Sequence, residues 1–247
     1  MWKRFTRPTI VLAALLGFTS LGLAQTGNQP TAKSSPSAPA RDVSGIWVAQ
    51  TGQGPALLSS SNQEPPMTAW GKEQFKTNAA SNDPHAKCEA AGVPRADLST
   101  RPIEIVQTPR WIVVFYEEYH DWRKIWTDGR PLPADAGPWF NGYSVGRWDG
   151  DTLVVESAGF NDLTWLDNAG HPHSEALHVV ERFRRVNPDT LQVNFTIEDP
   201  MAYSEPWTSA TRIYKRRHGY ELKENFCVPE PKVAIARPAS RLPAQTE

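Results

Sequence analysis

Leu177-His178-Val179-Val180-Glu181-Arg182-Phe183-Arg184-Arg185-Val186 and, beyond Asn187-Pro188-Asp189, Thr190-Leu191-Gln192-Val193-Asn194-Phe195-Thr196-Ile197-Glu198 decide the fold class of this chain. In the second run Leu191, Val193, Phe195 and Ile197 alternate with Gln192, Asn194, Thr196 and Glu198. Successive side chains of a strand point to opposite faces, so this is a strand with one apolar and one wet face. In the first run Leu177, Val179 and Phe183 keep the same register, but Glu181 stands where a fourth apolar residue belongs. The pattern recurs at Tyr220, Leu222, Glu224 and Phe226. If the apolar sets point inward, Glu181 and Glu224 do too. A buried carboxylate is costly unless it is paired or hydrogen-bonded, so both are candidates for chemistry or binding.

Working outward, strands are expected at 43–48, 103–108, 111–118, 122–128, 142–148, 151–157, 209–217 and 220–227. Asp149-Gly150 and His218-Gly219 mark tight hairpins. The run from Trp148 to Val155 echoes that from Val186 to Val193, which reads as one hairpin solution used twice. One short helix is expected within 67–80, capped by Thr68, with Trp70, Gln74 and Phe75 at helical spacing. The stretch 82–101 is irregular. Short strands joined by tight turns predict an all-β protein, an antiparallel meandering β-barrel with an irregular N-terminal arm. Closure into a barrel is favoured because it leaves no long unprotected edge.

The first 24 residues read as a signal peptide: Lys3, Arg4 and Arg7, an apolar stretch from Ile10 to Leu23, and a small-x-small site at Gly22-Leu23-Ala24. Residues 25–41 read as a flexible leader, 42–228 as a single barrel domain and 229–247 as a disordered tail. Removal of the signal takes the formal charge from −1 to −4, with no basic patch, which argues against nucleic acid or an anionic membrane surface as partner. No membrane insertion is expected after cleavage, and the location is periplasmic or secreted. Two cysteines, Cys88 and Cys227, suggest one disulfide in an oxidising compartment, fixing the N-terminal arm to the last strand.

Further candidates surround the two acids. Arg123 alternates with Ile125 and Thr127 and can clamp an acidic ligand or form an internal salt bridge with Glu181. The long loop between 157 and 177 carries Trp165, Leu166, Asp167, His171 and His173. Trp165 and Leu166 call for burial, so the loop is expected to fold over a barrel mouth as a lid. His171 and His173 beside carboxylates offer acid/base groups, as does His120 at a strand end. Their spacing matches no metal-ligand motif, and no metal or other cofactor is predicted. Of ten tryptophans, Trp139 and Trp165 lie in loops and are the better pocket candidates. There is no Gly-x-Ser-x-Gly elbow, phosphate loop or Rossmann fingerprint.

Three blocks carry a resemblance: Val145-Gly146-Arg147-Trp148-Asp149-Gly150-Asp151-Thr152-Leu153-Val154-Val155-Glu156, Val180-Glu181-Arg182-Phe183-Arg184-Arg185-Val186, and Phe195-Thr196-Ile197-Glu198-Asp199-Pro200 with Pro206-Trp207. Over residues 65–230 the chain resembles a large group of exported bacterial proteins found in acidobacteria and proteobacteria. The resemblance implies export and supplies no activity. Gly45-Ile46-Trp47 is similar to the opening strand of calycin or lipocalin barrels. The leading expectation is a binder of a small, partly apolar molecule in the barrel mouth. Glu181, Glu224 and Arg123 would serve as polar anchors there, with Trp139, Trp165, Asp167 and His171 around the ligand. The alternatives are a cofactor-free isomerase, lyase or hydrolase using Glu181 or Glu224 with His120, His171 or His173, and a structural envelope protein.

Overall fold

In the computed structural model residues 41–54 and 56–228 are described; the expected signal peptide, the leader up to residue 40 and the tail lie outside them. Among the described residues ten strands and one α-helix, besides four short 3-10 turns, follow in the order β1 (Gly45–Ala49), α1 (Ala69–Thr77), β2 (Ile103–Gln107), β3 (Trp111–Tyr116), β4 (Trp122–Trp126), β5 (Tyr143–Asp149), β6 (Thr152–Ala158), β7 (His178–Asn187), β8 (Thr190–Glu198), β9 (Trp207–Thr208) and β10 (Arg212–Arg216). Neighbours in sequence are neighbours in the sheet from β1 to β9, and β10 pairs with both β1 and β8. That double pairing closes β1–β8 and β10 into a barrel. β9 continues the line of β10 along the other half of β8, the two being separated by Ser209-Ala210-Thr211.

The expected all-β barrel is therefore present, but the sheet is mixed. β4 and β5 run parallel, with Ile125 opposite Ser144 and Trp126 opposite Val145. Parallel neighbours need a crossover of a dozen residues or more. The 127–142 connection supplies it, and Pro131, Pro133 and Pro138 keep it from building a hairpin ladder of its own. The β5–β6 and β7–β8 hairpins both close over two residues but by different turns, since Pro188 holds φ negative where Gly150 is positive and the β7–β8 register shifts between Arg185 and Asn187. Asp149 pairs with Thr152 and Asn187 with Thr190, and Gly150 takes the positive φ of 62° that the first turn requires.

Inward faces of the strands supply Trp47, Ile105, Ile125, Val155, Phe183 and Phe195, all essentially without solvent contact. The arm between β1 and β2 adds Leu57, Val93 and Ala96 to this core, and the 159–177 loop adds Phe160 and Leu166. The loop thus packs its apolar side chains onto the barrel, as their need for burial dictates. No helix among the described residues is long and apolar enough to cross a membrane.

The expected strand at 220–227 does not form. Both edges of β10 are already occupied, by β1 and by β8, so no unpaired edge remains for it to join. After the turn at Gly219 the chain leaves the barrel and lies along its outside. Glu117 accepts from the Tyr220 hydroxyl at 2.8 Å and the Lys223 amide at 3.0 Å, and His120 Nε2 accepts from the Asn225 amide at 2.8 Å. Cys88 and Cys227 are joined, with Cα atoms 5.4 Å apart across 139 residues of sequence. The bridge fastens the arm to this outer segment rather than to a last strand.

Candidate functional site

Three polar centres need separate description: one inside the barrel, one within the loop, and one in a cleft against α1. The inner centre is built from β3, β4, β7 and a helical turn at Arg95–Leu98. Arg123 donates from both terminal nitrogens to Glu181, at 2.6 and 2.7 Å, and from Nη2 to Asp97 Oδ2 at 3.0 Å. The Tyr116 hydroxyl donates to Asp97 Oδ1 at 3.0 Å, and the Tyr214 hydroxyl donates to the Asp97 carbonyl. Exposure is 0% for Glu181, 1% for Asp97 and 3% for Arg123. Burial pushes the Asp97 carboxyl up to about 8 against the pull of Arg123, and the adjacent Glu181 carboxylate adds to the rise. One guanidinium faces two carboxyl groups, so ionising both would leave a negative charge without a partner, which favours the protonated form of Asp97. Glu181 therefore points inward, as the alternation required. Its partner is a fixed cation, and Arg123, Glu181 and Asp97 line neither of the clefts described below.

Glu224 is not inside. It is exposed on the outer segment, because the strand that would have turned it inward has no edge to join. His120 lies at the same outer segment, its ring tilted 30° against that of Phe226 with centroids 4.4 Å apart. It borders a shallow cleft of about 210 Å³ with Phe115, Leu222 and Lys223. His120 and Tyr119 both take positive φ, 54° and 59°, a conformation that bulky residues adopt only when surrounding contacts hold it. Trp139 is 59% exposed and belongs to none of these centres.

The second centre organises the loop. Asp167 accepts from the amides of Leu57, Ala169, Gly170 and His171 and, through Oδ2, from His171 Nδ1 at 2.6 Å. His171 Nε2 reaches Glu64 at 2.8 Å, and its ring stacks on Phe75 of α1 at 4.7 Å. Burial alone would lower the His171 pKa, but Asp167 and then Glu64 outweigh it and raise it. Asp167 is held below its ordinary value because the same imidazole and the amides overcome the cost of its burial. Among the described residues, neither side chain lines the cleft beside His120 or the one against α1. They join the arm, α1 and the loop into one unit.

The third centre is a cleft of about 460 Å³ between α1 and the loop. Trp70, Trp165 and Met201 supply its apolar walls; Gln74, Asn78, Thr164, His173, Asp162 and Glu175 supply its polar groups. The wall is positioned by Thr68, which accepts from the Gly71 amide at 3.0 Å and donates to the Met201 carbonyl at 2.6 Å. His173 Nδ1 faces the Ser174 carbonyl at 3.1 Å, so that nitrogen carries the proton. Nε2 is then an acceptor, and the Thr164 hydroxyl donates to it at 2.7 Å. Burial lowers the His173 pKa and keeps the ring neutral. Among the described residues no group of three or more His, Cys, Asp or Glu side chains is arranged to hold a metal ion.

No protein-family model matches the chain, and no curated protein matches it. Function has to be argued from these centres. Of the sequence candidates, the fold brings Arg123 to Glu181, Asp167 to His171, and Trp165 to His173; it separates Glu224, His120 and Trp139 from all three pairs. Sequence reasoning missed Asp97, which lies in a stretch with no periodicity. It also gave no role to Asp162 and Thr164. Trp70 was legible only as a helical residue, although its 36% exposure on a short helix is the signal that marks a wall without a partner.

Proposed function

We propose that this protein is an exported binder of a small, partly apolar molecule, and that the molecule sits in the cleft between α1 and the 159–177 loop. The observation that carries this reading is the cleft itself. Its volume of about 460 Å³ lies within the range of about 300–1,000 Å³ usual for ligand pockets. Two indoles and a methionine facing a larger set of polar side chains make a mixed wall suited to a partly apolar guest. The barrel interior, by contrast, is filled by its own side chains and by the Arg123 cluster. An intrachain disulfide supports the export part of the reading, since such bonds persist in oxidising compartments.

A second reading, turnover in the same cleft, is favoured by one observation. The Thr164 hydroxyl is hydrogen-bonded to the unprotonated nitrogen of His173, whose other nitrogen is oriented by a carbonyl, which is how an activated hydroxyl is held. Native mass spectrometry of the full chain, purified from its own cell envelope, tests both. Binding predicts a stoichiometric adduct on the parent protein that Trp70→Ala no longer retains, with an unchanged thermal melt. Turnover predicts that the adduct is chemically altered on incubation, and that Thr164→Ala prevents the change. A parent protein free of any adduct, together with one equally retained by Trp70→Ala in reconstitution, contradicts the proposal.

A further inference from the structure

We infer that the molecule held in this cleft is a cation with a flat apolar body, of the aromatic or quaternary amine class. The inference rests on the cleft reading above and adds the charge of its ligand. Asp162 and Glu175 are the charged side chains of the lining, and neither forms a hydrogen bond or ion pair among the described residues. Both are exposed, one on each side of a stretch whose Thr164–Asp167 and Gly170–Ser174 segments are buried. No lysine or arginine lines the cleft. The nearby guanidinium of Arg95 lies 5.5 Å from the Trp165 ring centre, on a ring that also faces the cleft, and its charge is already taken up. Asp83 accepts from it at 2.7 and 2.6 Å, and Asn168 at 2.8 Å.

The neutral groups point the same way. His173 is uncharged and both of its nitrogens are committed. The Thr164 proton is spent on His173, so its oxygen offers lone pairs to the cleft. The Asn78 amide nitrogen spends one of its two protons on the Gly170 carbonyl at 2.9 Å, and its oxygen makes no hydrogen bond among the described residues. The walls therefore present two carboxylates, indole faces and neutral amide and hydroxyl groups, with no cation among them. An anion entering here would meet like charge with no neutralising group, which is a barrier against that class of ligand. A cation would gain from the ring quadrupoles and from both carboxylates.

A matched probe series tests the charge directly. Phenyltrimethylammonium, its neutral isostere tert-butylbenzene and the anion benzenesulfonate are titrated against the full mature chain, with tryptophan fluorescence and saturation-transfer NMR as readouts. The cation is expected to bind about tenfold or more tightly than the neutral isostere, and the anion not at all. The double variant Asp162→Asn/Glu175→Gln should lose about that factor for the cation and nothing for the neutral probe. Equal binding of cation and neutral probe, or a double variant with parent affinity, overturns the inference. If Trp70→Ala then abolishes binding of both probes, the cleft reading survives without it. If no probe binds, or Trp70→Ala binds all of them as the parent does, both fall together.

Discussion

Arg123 divides its guanidinium between Glu181 and Asp97 in a site without water contact, and that arrangement sets the cost of changing any of the three. Removing the cation leaves carboxyl groups buried without compensation, so Arg123→Met should cost about 3–5 kcal/mol of stability. Glu181→Gln should cost less, because Arg123 keeps Asp97. The double variant should fall short of the sum of the single effects by about 1–3 kcal/mol, read from denaturant unfolding in a double-mutant cycle. The same cluster imposes a pH dependence. Between the ordinary 3.8 and about 8, Asp97 is protonated in the folded chain and ionised in the unfolded one. Folding takes up a proton across that window, so Asp97's contribution to stability falls as pH rises and levels off above about 8. Asp97→Asn, which resembles the protonated acid, should flatten this part of the midpoint-versus-pH curve. An unchanged slope would show that Asp97 is ionised in the fold. Alternation made Glu181 and its pairing with Arg123 readable in the sequence. Asp97 was unreadable because it is delivered by an aperiodic turn whose position depends on the arm packing as a whole.

At the scale of elements, α1 and the loop form the cleft and share two devices. Gly71 faces the Ala202 carbonyl so closely that an added Cβ would lie 2.3 Å from that oxygen. Gly71→Ala should therefore push α1 outward, lower stability, and weaken retention of the cleft ligand; a parent-like melt and parent-like retention would refute this placement of the helix. His171 is the second device. Its raised pKa means that its contribution is fully present below 6.5 and is lost as pH rises through the folded value. Above that value Nε2 loses its proton while facing the Glu64 carboxylate. Hydrogen exchange of the amides near Glu64 should consequently speed up at alkaline pH beyond the intrinsic base dependence, and Glu64→Gln should remove the excess. Most elements were legible as alternating runs. The 220–227 strand was misread because local alternation cannot report that both edges of β10 are taken. The parallel β4–β5 pair was missed because it depends on where a proline-rich crossover returns.

For the whole molecule, the disulfide closes a loop that contains nearly the entire barrel. In the chain-entropy model such a loop is worth about 4–5 kcal/mol. Because Cys227 sits on the outer segment, its removal should spare the strands: Cys88→Ser/Cys227→Ser should lower the unfolding midpoint, free amides 220–228 to exchange, and leave the circular dichroism of the barrel intact. Loss of the sheet signal would mean that the bridge is needed to build the barrel. The proposed division of labour is a barrel whose interior charges pair the strands' side chains and an outer cleft that takes the ligand. Hydrogen–deuterium exchange of the chain with and without saturating phenyltrimethylammonium tests that division most directly. Protection is predicted in α1 and in residues 162–176, with β2–β4, β7 and β8 unchanged. Protection centred on those strands, with α1 and the loop unaffected, would contradict it.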